Sequence, residues 1–377
     1  YTSNTFNQIE ITASWPSSET FSPNSTLENP KTATDWKQVS VPSEIQFLVQ
    51  LRNKLHFGQS QSDSTPFTVP PLTCDVNWSA STGASELILQ GNYSNPDLDS
   101  LTTMFINHCS KMTDLDSLPL TVTMEEFTRK FTRWKENTST SPSGRHLGHY
   151  KVLFKQPDPE LTEDEASDIL EFQGDIARAY LGLINYSLKH RYSYTRWKTI
   201  VNAMIHKETN NNKIHRLRVI HLYEADLNFM MGLKWKQALH RSEKLNNLHP
   251  GQYGSRPGKC PKTIALMEEL RLDYSLLTRT SFINFHNDAT ACFDRIIVSL
   301  ASLIARAHGM HKNVLQVHAD TPQQAKFKLK LGQLVSDTYY KHSKEFPIHG
   351  SDQGSGNSPT IWAFISSKSF ECHDSLA

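Results

Sequence analysis

The chain has 377 residues, of which 20% are charged and 37% apolar, with a formal net charge of +1. These values exclude an intrinsically disordered chain and a collagen-like chain, and they are typical of a globular protein. No run approaches the roughly 20 apolar residues that a membrane-spanning helix needs, so no membrane contact is expected. The five cysteines include no CxxC pair, so neither a zinc site nor a disulfide framework is indicated.

Residues 1–120 are predicted to form an N-terminal accessory and connector region. Residues 1–34 are rich in Ser, Thr, Asn and Pro and lack periodicity, which indicates a loop. Apolar residues at helical spacing then predict a helix that ends near residue 58, with Ser43 as its N-cap. A second helix is predicted over residues 96–110. We expect this region to contribute packing.

The next segment begins with a helix and continues into a polar loop. Thr123 and Glu126 have the spacing of a capping box, and a longer helical segment begins near residue 161. Between them, residues 139–150 (STSPSGRHLGHY) form a loop with glycines and basic residues. Its small residues would let the backbone approach phosphates or a template strand, with Arg145 meeting the charge. A plain surface turn is the alternative.

Alternating residues predict a β-hairpin formed by residues 200–207 and 216–222. Lys207 and Arg218 flank this hairpin and could reach one triphosphate, the arginine through a bidentate fork and the lysine as a point charge. A solvated hairpin is the competing interpretation. A helix is predicted to follow, over residues 224–245.

A basic block surrounds the hairpin. Residues 189–262 contain fifteen Lys or Arg and four Asp or Glu, a net charge of +11. Aromatic residues are interleaved with these cations: Trp197, Tyr223, Trp235 and Tyr253. Cations that bind a phosphate backbone, combined with rings that stack on bases, are typical of nucleic-acid-binding proteins. Nucleic acid is therefore the expected partner, and a solvated charged face is the alternative.

A short apolar segment, residues 282–287 (FINFHN), predicts a strand that ends in Asp288, and Phe293 follows. A carboxylate at a strand end can bind a hard divalent cation through oxygen. A buried edge strand with a solvated aspartate is the alternative. After a further helix, residues 349–359 form a glycine-rich turn that leads into another predicted helix.

These segments, in this order, resemble the motifs of reverse transcriptases of the non-LTR retrotransposon class. Residues 218–220 (RVI) are similar to the fingers strand RPI, with Val for Pro, and residues 252–258 (QYGSRPG) to QxGFRxG, with Ser for Phe. Residues 288–294 (DATACFD) fit motif A, and residues 350–359 (GSDQGSGNSP) fit motif B. The loop at 139–150 loosely resembles the template loop that precedes the fingers. Four collinear matches are more specific than any single one.

The resemblance implies an α+β fold that is mainly helical. Residues 121–275 would form a fingers-like region, and residues 276–377 the first part of a right-hand polymerase palm, incomplete at its C-terminus. The implied activity is RNA-directed DNA polymerisation, in which a primer 3′-oxygen attacks the α-phosphate of a deoxynucleoside triphosphate. The implied partners are an RNA template, a DNA primer and the dNTP.

The resemblance also implies roles for individual residues. Asp288 would be the catalytic carboxylate that binds two Mg²⁺ ions, Phe293 the steric gate against a 2′-hydroxyl, and Asp294 a structural residue. The residues implied in nucleotide binding are Lys207, Arg218, Phe293, Gln353 and Gly354. The residues implied in template binding are Arg145, Gln252, Arg256, Gly350 and Ser358.

One element of the family pattern is missing. No Asp-Asp pair follows motif B, although such polymerases take their second metal-binding carboxylates from a YxDD hairpin. We therefore expect a fragment of an open reading frame that is inactive as it stands. The alternative is a decayed element that acts only as a nucleic-acid-binding module, and a non-enzymatic helical scaffold is a third possibility. Nuclear action is expected for the family, whereas oligomeric state is left open.

Overall fold

The computed structural model of the chain describes residues 8–16, 33–61, 65–110, 118–138, 142–282, 292–351 and 353–376. The helices of these residues are α1 Pro42–Gly58, α2 Leu72–Val76, α3 Gly83–Leu89, α4 Ser100–His108, α5 Met124–Arg133, α6 Leu147–Lys151, α7 Glu163–His190, α8 Ala225–Lys244, α9 Pro261–Thr278, α10 Val298–Ala307, α11 Lys312–Gln323 and α12 Ser358–Asp374. Their strands are β1 Ile9–Thr12, β2 Trp36–Val39, β3 Thr199–His206, β4 Leu217–Leu222, β5 Lys326–Leu331 and β6 Leu334–Tyr340. The predicted α+β class with a helical majority is confirmed.

The larger sheet has the strand order β4-β3-β5-β6. β3 and β4 form the predicted antiparallel hairpin, β3 and β5 are parallel, and β5 and β6 are antiparallel. The strands β5 and β6 were not predicted, and neither was the small antiparallel sheet formed by β1 and β2. Since the only neighbour of β4 in the sheet is β3, its other edge is available to a loop from elsewhere in the chain.

Helix starts follow local chemistry, with one correction. The predicted capping box at Thr123 is present, because the Thr123 hydroxyl accepts from the amide of Glu126 and the Glu126 carboxylate accepts from the amide of Thr123. The predicted N-cap at Ser43 is wrong. The helix α1 begins at Pro42, with Val41 as an N-cap that makes no side-chain hydrogen bond. Proline suits the first helical position because its φ is fixed and its missing N–H would have no partner there.

One hydrophobic core cluster runs through the structure and contains residues from all three predicted regions, from Ile9 to Phe364. α1 packs against β6 and against the short 3-10 helix Cys292–Arg295. The predicted domain boundaries near residues 120 and 275 remain predictions. Among the helices of the described residues, none is long and apolar enough to cross a membrane.

Candidate functional site

Two cations lie on one face of the β3–β4 hairpin. Ile205 pairs with Arg218, and just beyond the strand the amide of Lys207 donates to the carbonyl of Arg216 at 2.9 Å. Side chains of paired residues share a face of the sheet, and so do alternate residues along a strand. Lys207 and Arg218 are both exposed. The hairpin therefore brings the two predicted nucleotide-binding cations to the same face.

A buried carboxylate connects two other parts of the chain. Asp294 is 5% exposed, is the last residue of motif A and belongs to the 3-10 helix Cys292–Arg295. Its Oδ2 accepts a hydrogen bond from Nε2 of Gln353 at 3.2 Å and lies 2.9 Å from Nε2 of His56. Its Oδ1 has no hydrogen-bond partner among the residues that the structure describes. Asp294 thus joins α1 to the glycine-rich turn and orients the amide of Gln353.

The side chains around Asp294 shift the pKa values of Lys207 and His56. The pKa of Lys207 is lowered, first by partial burial and then by the nearby Arg52, while Asp294 acts in the opposite direction. The pKa of His56 is also lowered, chiefly by burial, although the hydrogen bond to Asp294 opposes the shift. His56 is therefore neutral at pH 7, and its Nε2 donates to the carboxylate.

Backbone hydrogen bonds attach the glycine-rich turn to the end of motif A. The amide of Gly350 donates to the carbonyl of Ile296 at 2.8 Å, and the amide of Ser351 donates to the carbonyl of Phe293 at 2.8 Å. The hydroxyl of Ser358 donates to the carbonyl of Ser351, which fixes the turn against the start of α12. Gly350 and Ser358, both predicted to bind the template, therefore shape this turn, and their contact with a template remains a prediction.

The same turn is also attached to the free edge of β4. The amide of His221 donates to the carbonyl of Gln353 at 2.8 Å. Gly354 has a φ of +110°, and a Cβ atom there would lie only 2.7 Å from the carbonyl oxygen of His221. Only glycine fits this position, because a side chain would collide with the strand backbone. The hairpin, the end of motif A and the motif B turn therefore meet at one place.

α1 completes this arrangement, although no sequence motif pointed to it. The carbonyl of Phe57 accepts from the amide of His349 at 3.0 Å, and Nη2 of Arg52 donates to the carbonyl of Leu217 at 2.8 Å. Burial lowers the pKa of Arg52 to about 10. Arg52 and His56 are four residues apart and so share a helix face. The spacing of four between Arg52 and His56 in the sequence therefore indicated that the two side chains lie on the same side of a helix.

The predicted catalytic and metal-binding residue, Asp288, lies outside the described residues, as do residues 283–287 of the strand predicted before it. Phe293 is half-buried and packs against the hydrophobic core. Its predicted role as a steric gate remains a prediction. Among the described residues there is no group of three His, Cys, Asp or Glu side chains that could hold a metal ion. The predicted Mg²⁺ site therefore depends on Asp288.

Two residues predicted to bind the template, Arg256 and Gln252, fix their turn against α8 and α12. Arg256 forms a two-pronged ion pair with Glu243 and donates to two backbone carbonyls at 2.8 and 2.9 Å. Gln252 is buried, donates to the carbonyl of Gly254 at 2.9 Å and accepts from the Ser366 hydroxyl at 2.8 Å. These contacts fold the turn at residues 252–258, and the template contact remains a prediction for both residues.

The predicted template loop is tied to the start of α8. The amide and hydroxyl of Ser143 donate to the two carboxylate oxygens of Glu224 at 2.8 and 3.0 Å. The guanidinium of Arg145 lies 5.3 Å from the centre of the Tyr180 ring. The loop end that carries Arg145 is thus positioned by α7 and by a buried carboxylate, and the template contact of Arg145 remains a prediction.

Glu224 belongs to a buried ionic cluster. Glu224 is 0% and Asp226 1% exposed. Arg196 forms a two-pronged ion pair with Asp226 and reaches Glu224 at 3.3 Å, and the indole of Trp197 donates to Asp226 at 3.1 Å. A single arginine therefore compensates one of the two negative charges on carboxylates that are removed from water.

The expected base-stacking role of the aromatic residues in the basic block is largely wrong. Trp197 and Trp235 are 0% exposed and Tyr223 is 8% exposed. Their rings belong to the hydrophobic core, with Trp197 just before β3, Tyr223 just after β4 and Trp235 on α8. Tyr253 is half-buried with the Lys259 ammonium 5.2 Å from its ring centre.

Comparison with known proteins adds no family assignment. A scan of the chain against protein-family models gave no match, and a search of curated proteins also gave none.

Proposed function

We propose that this chain forms the fingers and the first part of the palm of an RNA-directed DNA polymerase. One observation carries the proposal. The segments that resemble the fingers strand, the end of motif A and motif B are far apart in sequence, yet they meet through the His221–Gln353 and Ser351–Phe293 backbone hydrogen bonds. The resemblance was based on sequence alone, so this meeting is independent support.

The arrangement assigns a task to each side chain. Arg218 and Lys207 would neutralise the triphosphate of an incoming nucleotide, since both project from one exposed face of the hairpin. Gln353, oriented by Asp294, would line the pocket for the incoming base pair. The primer 3′-oxygen would attack the α-phosphate in line with the departing pyrophosphate. Two Mg²⁺ ions, predicted to be held by Asp288, would supply charge neutralisation at that phosphate.

The test is Mg²⁺-dependent extension of a DNA primer on an RNA template. The protein assayed, called the extended protein, is the chain joined to the sequence encoded directly downstream of it. We expect Asp288→Ala to abolish extension. We expect Arg218→Ala to raise the KM for dNTP about 10- to 100-fold, the effect of losing a hydrogen bond to a charged group. Because the triphosphate is bound before and during the reaction, kcat should change less than KM.

Arg178→Ala is the matched control, because this arginine on α7 is exposed and pairs with Asp175 in its own helix. It should leave the KM unchanged. Extension that survives Asp288→Ala, or a KM for dNTP that Arg218→Ala leaves unchanged, would refute the proposal. Salt-dependent RNA binding without extension would favour the second candidate function, a nucleic-acid-binding module.

A further inference from the structure

A large open cleft lies between α5 and α8. Its volume is about 1670 Å³, and one end is lined by the turns at residues 255–257 and 354–356. The cleft thus reaches the turn that carries Gln353, but its walls come mostly from residues 118–138 and from α8. Residues 118–138 contain none of the motifs that resemble a polymerase.

The cleft is strongly cationic. Among the described residues that line it, one is acidic: Glu126, whose carboxylate accepts from the amide of Thr123 at 3.0 Å and from Nε2 of Gln237 at 2.7 Å. The six Lys and Arg residues that line it are Arg129, Lys130, Arg133, Lys135, Lys236 and Arg256. Of these, Arg256 is neutralised by Glu243, and Arg129 has only a long contact to Glu125 at 3.7 Å with both side chains exposed. The other five cations therefore lack a close carboxylate partner among the described residues, and one of them, Lys130, lies 4.1 Å from the centre of the Trp134 ring.

Two of these cations oppose each other across the cleft. Lys130 belongs to α5 and Lys236 to α8. The pKa of Lys130 is lowered, first by partial burial and then by the charge of Lys236. Two like charges brought together from different helices destabilise each other, and an anion between them would remove this repulsion.

Two glycines that line the cleft lie close together. Gly232 lies in the interior of α8 and Gly356 in the glycine-rich turn, and a Cβ atom at Gly356 would lie 3.6 Å from the Cα atom of Gly232. Glycine in a helix interior is destabilising relative to alanine. Here it permits close contact between helix and turn.

We propose that this cleft binds the sugar–phosphate backbone of a single-stranded nucleic acid. The five cations match a ligand with repeated negative charges. The cations line the inside of a concavity. A single strand is flexible enough to enter it, whereas a duplex stays stiff over about 150 base pairs. The proposal rests on the proposed function in that the cleft shares Arg256 and Gly354 with the proposed polymerase site, but it requires none of Lys207, Arg218 or Asp288.

The experiment measures binding of fluorescein-labelled oligo(U) and oligo(dT) 20-mers to the full chain by fluorescence anisotropy between 50 and 200 mM salt. Each neutralised phosphate of a single strand contributes about −0.7 to the slope of log K against log salt. Five contacts predict a slope near −3.5, which corresponds to about a 100-fold loss of affinity over this range. Both oligomers should bind, since contacts to phosphate do not depend on the sugar.

The test variant is the double substitution Arg133→Glu with Lys236→Glu, which alters exposed residues on both walls. The slope should fall to about −2, with about a 20-fold loss of affinity over the same range. The control is Lys189→Glu with Lys344→Glu, which makes the same change in net charge at exposed positions outside the cleft. It should retain the wild-type slope. A second cleft pair, Arg129→Glu with Lys135→Glu, repeats the test if the first variant has a lowered melting temperature.

Three results would overturn the proposal. The first is an equal loss of binding in the cleft and control variants, the second is tighter binding of a duplex with the same number of phosphates, and the third is equally effective competition by poly-glutamate. Arg218→Ala should leave oligonucleotide binding unchanged, and the cleft variant should leave the KM for dNTP unchanged in the extended protein. A failure of this proposal is therefore distinguishable from a failure of the polymerase proposal.

Discussion

Replacing Gly354 with alanine tests how closely the glycine-rich turn approaches β4. A Cβ atom at this position would lie 2.7 Å from the carbonyl oxygen of His221 and 3.1 Å from Cγ2 of Ile220. The oxygen belongs to the backbone of a paired strand, so it cannot retreat without disturbing the sheet. The alanine would also have to adopt a φ of +110°, a conformation that residues with a side chain rarely adopt.

The expected loss in the free energy of unfolding is about 3 kcal/mol. Backbone strain contributes about 1 to 2 kcal/mol, and displacement of the turn weakens the hydrogen bond between the His221 amide and the Gln353 carbonyl, which adds about 1 to 2 kcal/mol. Because Gln353 is adjacent, the amide that Asp294 holds should also move, so the variant should lose affinity for dNTP in the extended protein.

Urea unfolding followed by the fluorescence of the buried tryptophans Trp197 and Trp235 measures the loss. Gly258→Ala is the control, since Gly258 also has a positive φ, +72°, but a Cβ atom there would meet nothing within 4 Å. The control should cost only the backbone strain, about 1 kcal/mol. If Gly354→Ala costs no more than Gly258→Ala, the close approach to β4 is not the reason for the glycine.

Two further predictions concern buried charge. Arg196→Ala should lower the free energy of unfolding by about 3 to 5 kcal/mol in urea titrations, because it leaves two buried carboxylates uncompensated. Arg178→Ala removes an exposed ion pair and should cost less than about 1 kcal/mol. Equal losses in the two variants would contradict this reasoning. Burial lowers the pKa of His308 from 6.5 to about 3, so below about pH 6.5 the unfolded chain binds a proton that the folded chain does not. The free energy of unfolding should therefore fall as the pH drops from 6.5 toward 3, by up to about 1.4 kcal/mol per pH unit from this group. If His308→Gln leaves the dependence of stability on pH unchanged, His308 is not the source of this effect.

Local signals predicted much of the fold. The β3–β4 hairpin follows from alternation on either side of a polar turn, and the capping box at Thr123 marks the start of α5. β5 was not predicted, although Phe327 and Leu329 alternate with lysines in its sequence. Its pairing with β3 is parallel and joins distant segments, and local sequence does not specify such pairing.

The candidate site was predicted in part. The resemblance selected Lys207, Arg218 and Gln353, which lie on segments that the fold brings together. It did not select His56, because helix α1 carries no motif, and its contact with Asp294 depends on packing between residues far apart in sequence. The block of cations near the hairpin was also an incomplete guide, because much of the basic cleft comes from α5, outside that block.

The position of α1 has a consequence for the order of folding during synthesis. Nε2 of Gln50 donates to the Thr338 hydroxyl, 288 residues further along the chain. The carbonyl of Phe57 accepts from the amide of His349, which is also synthesised much later than α1. At about 5 to 20 residues per second, these partners leave the ribosome roughly 15 to 60 s after the helix. During that interval the apolar residues of α1, including Ile45, lack part of their native cover. The docking of α1 is therefore completed late in synthesis, and newly made chains should depend on chaperones at this step.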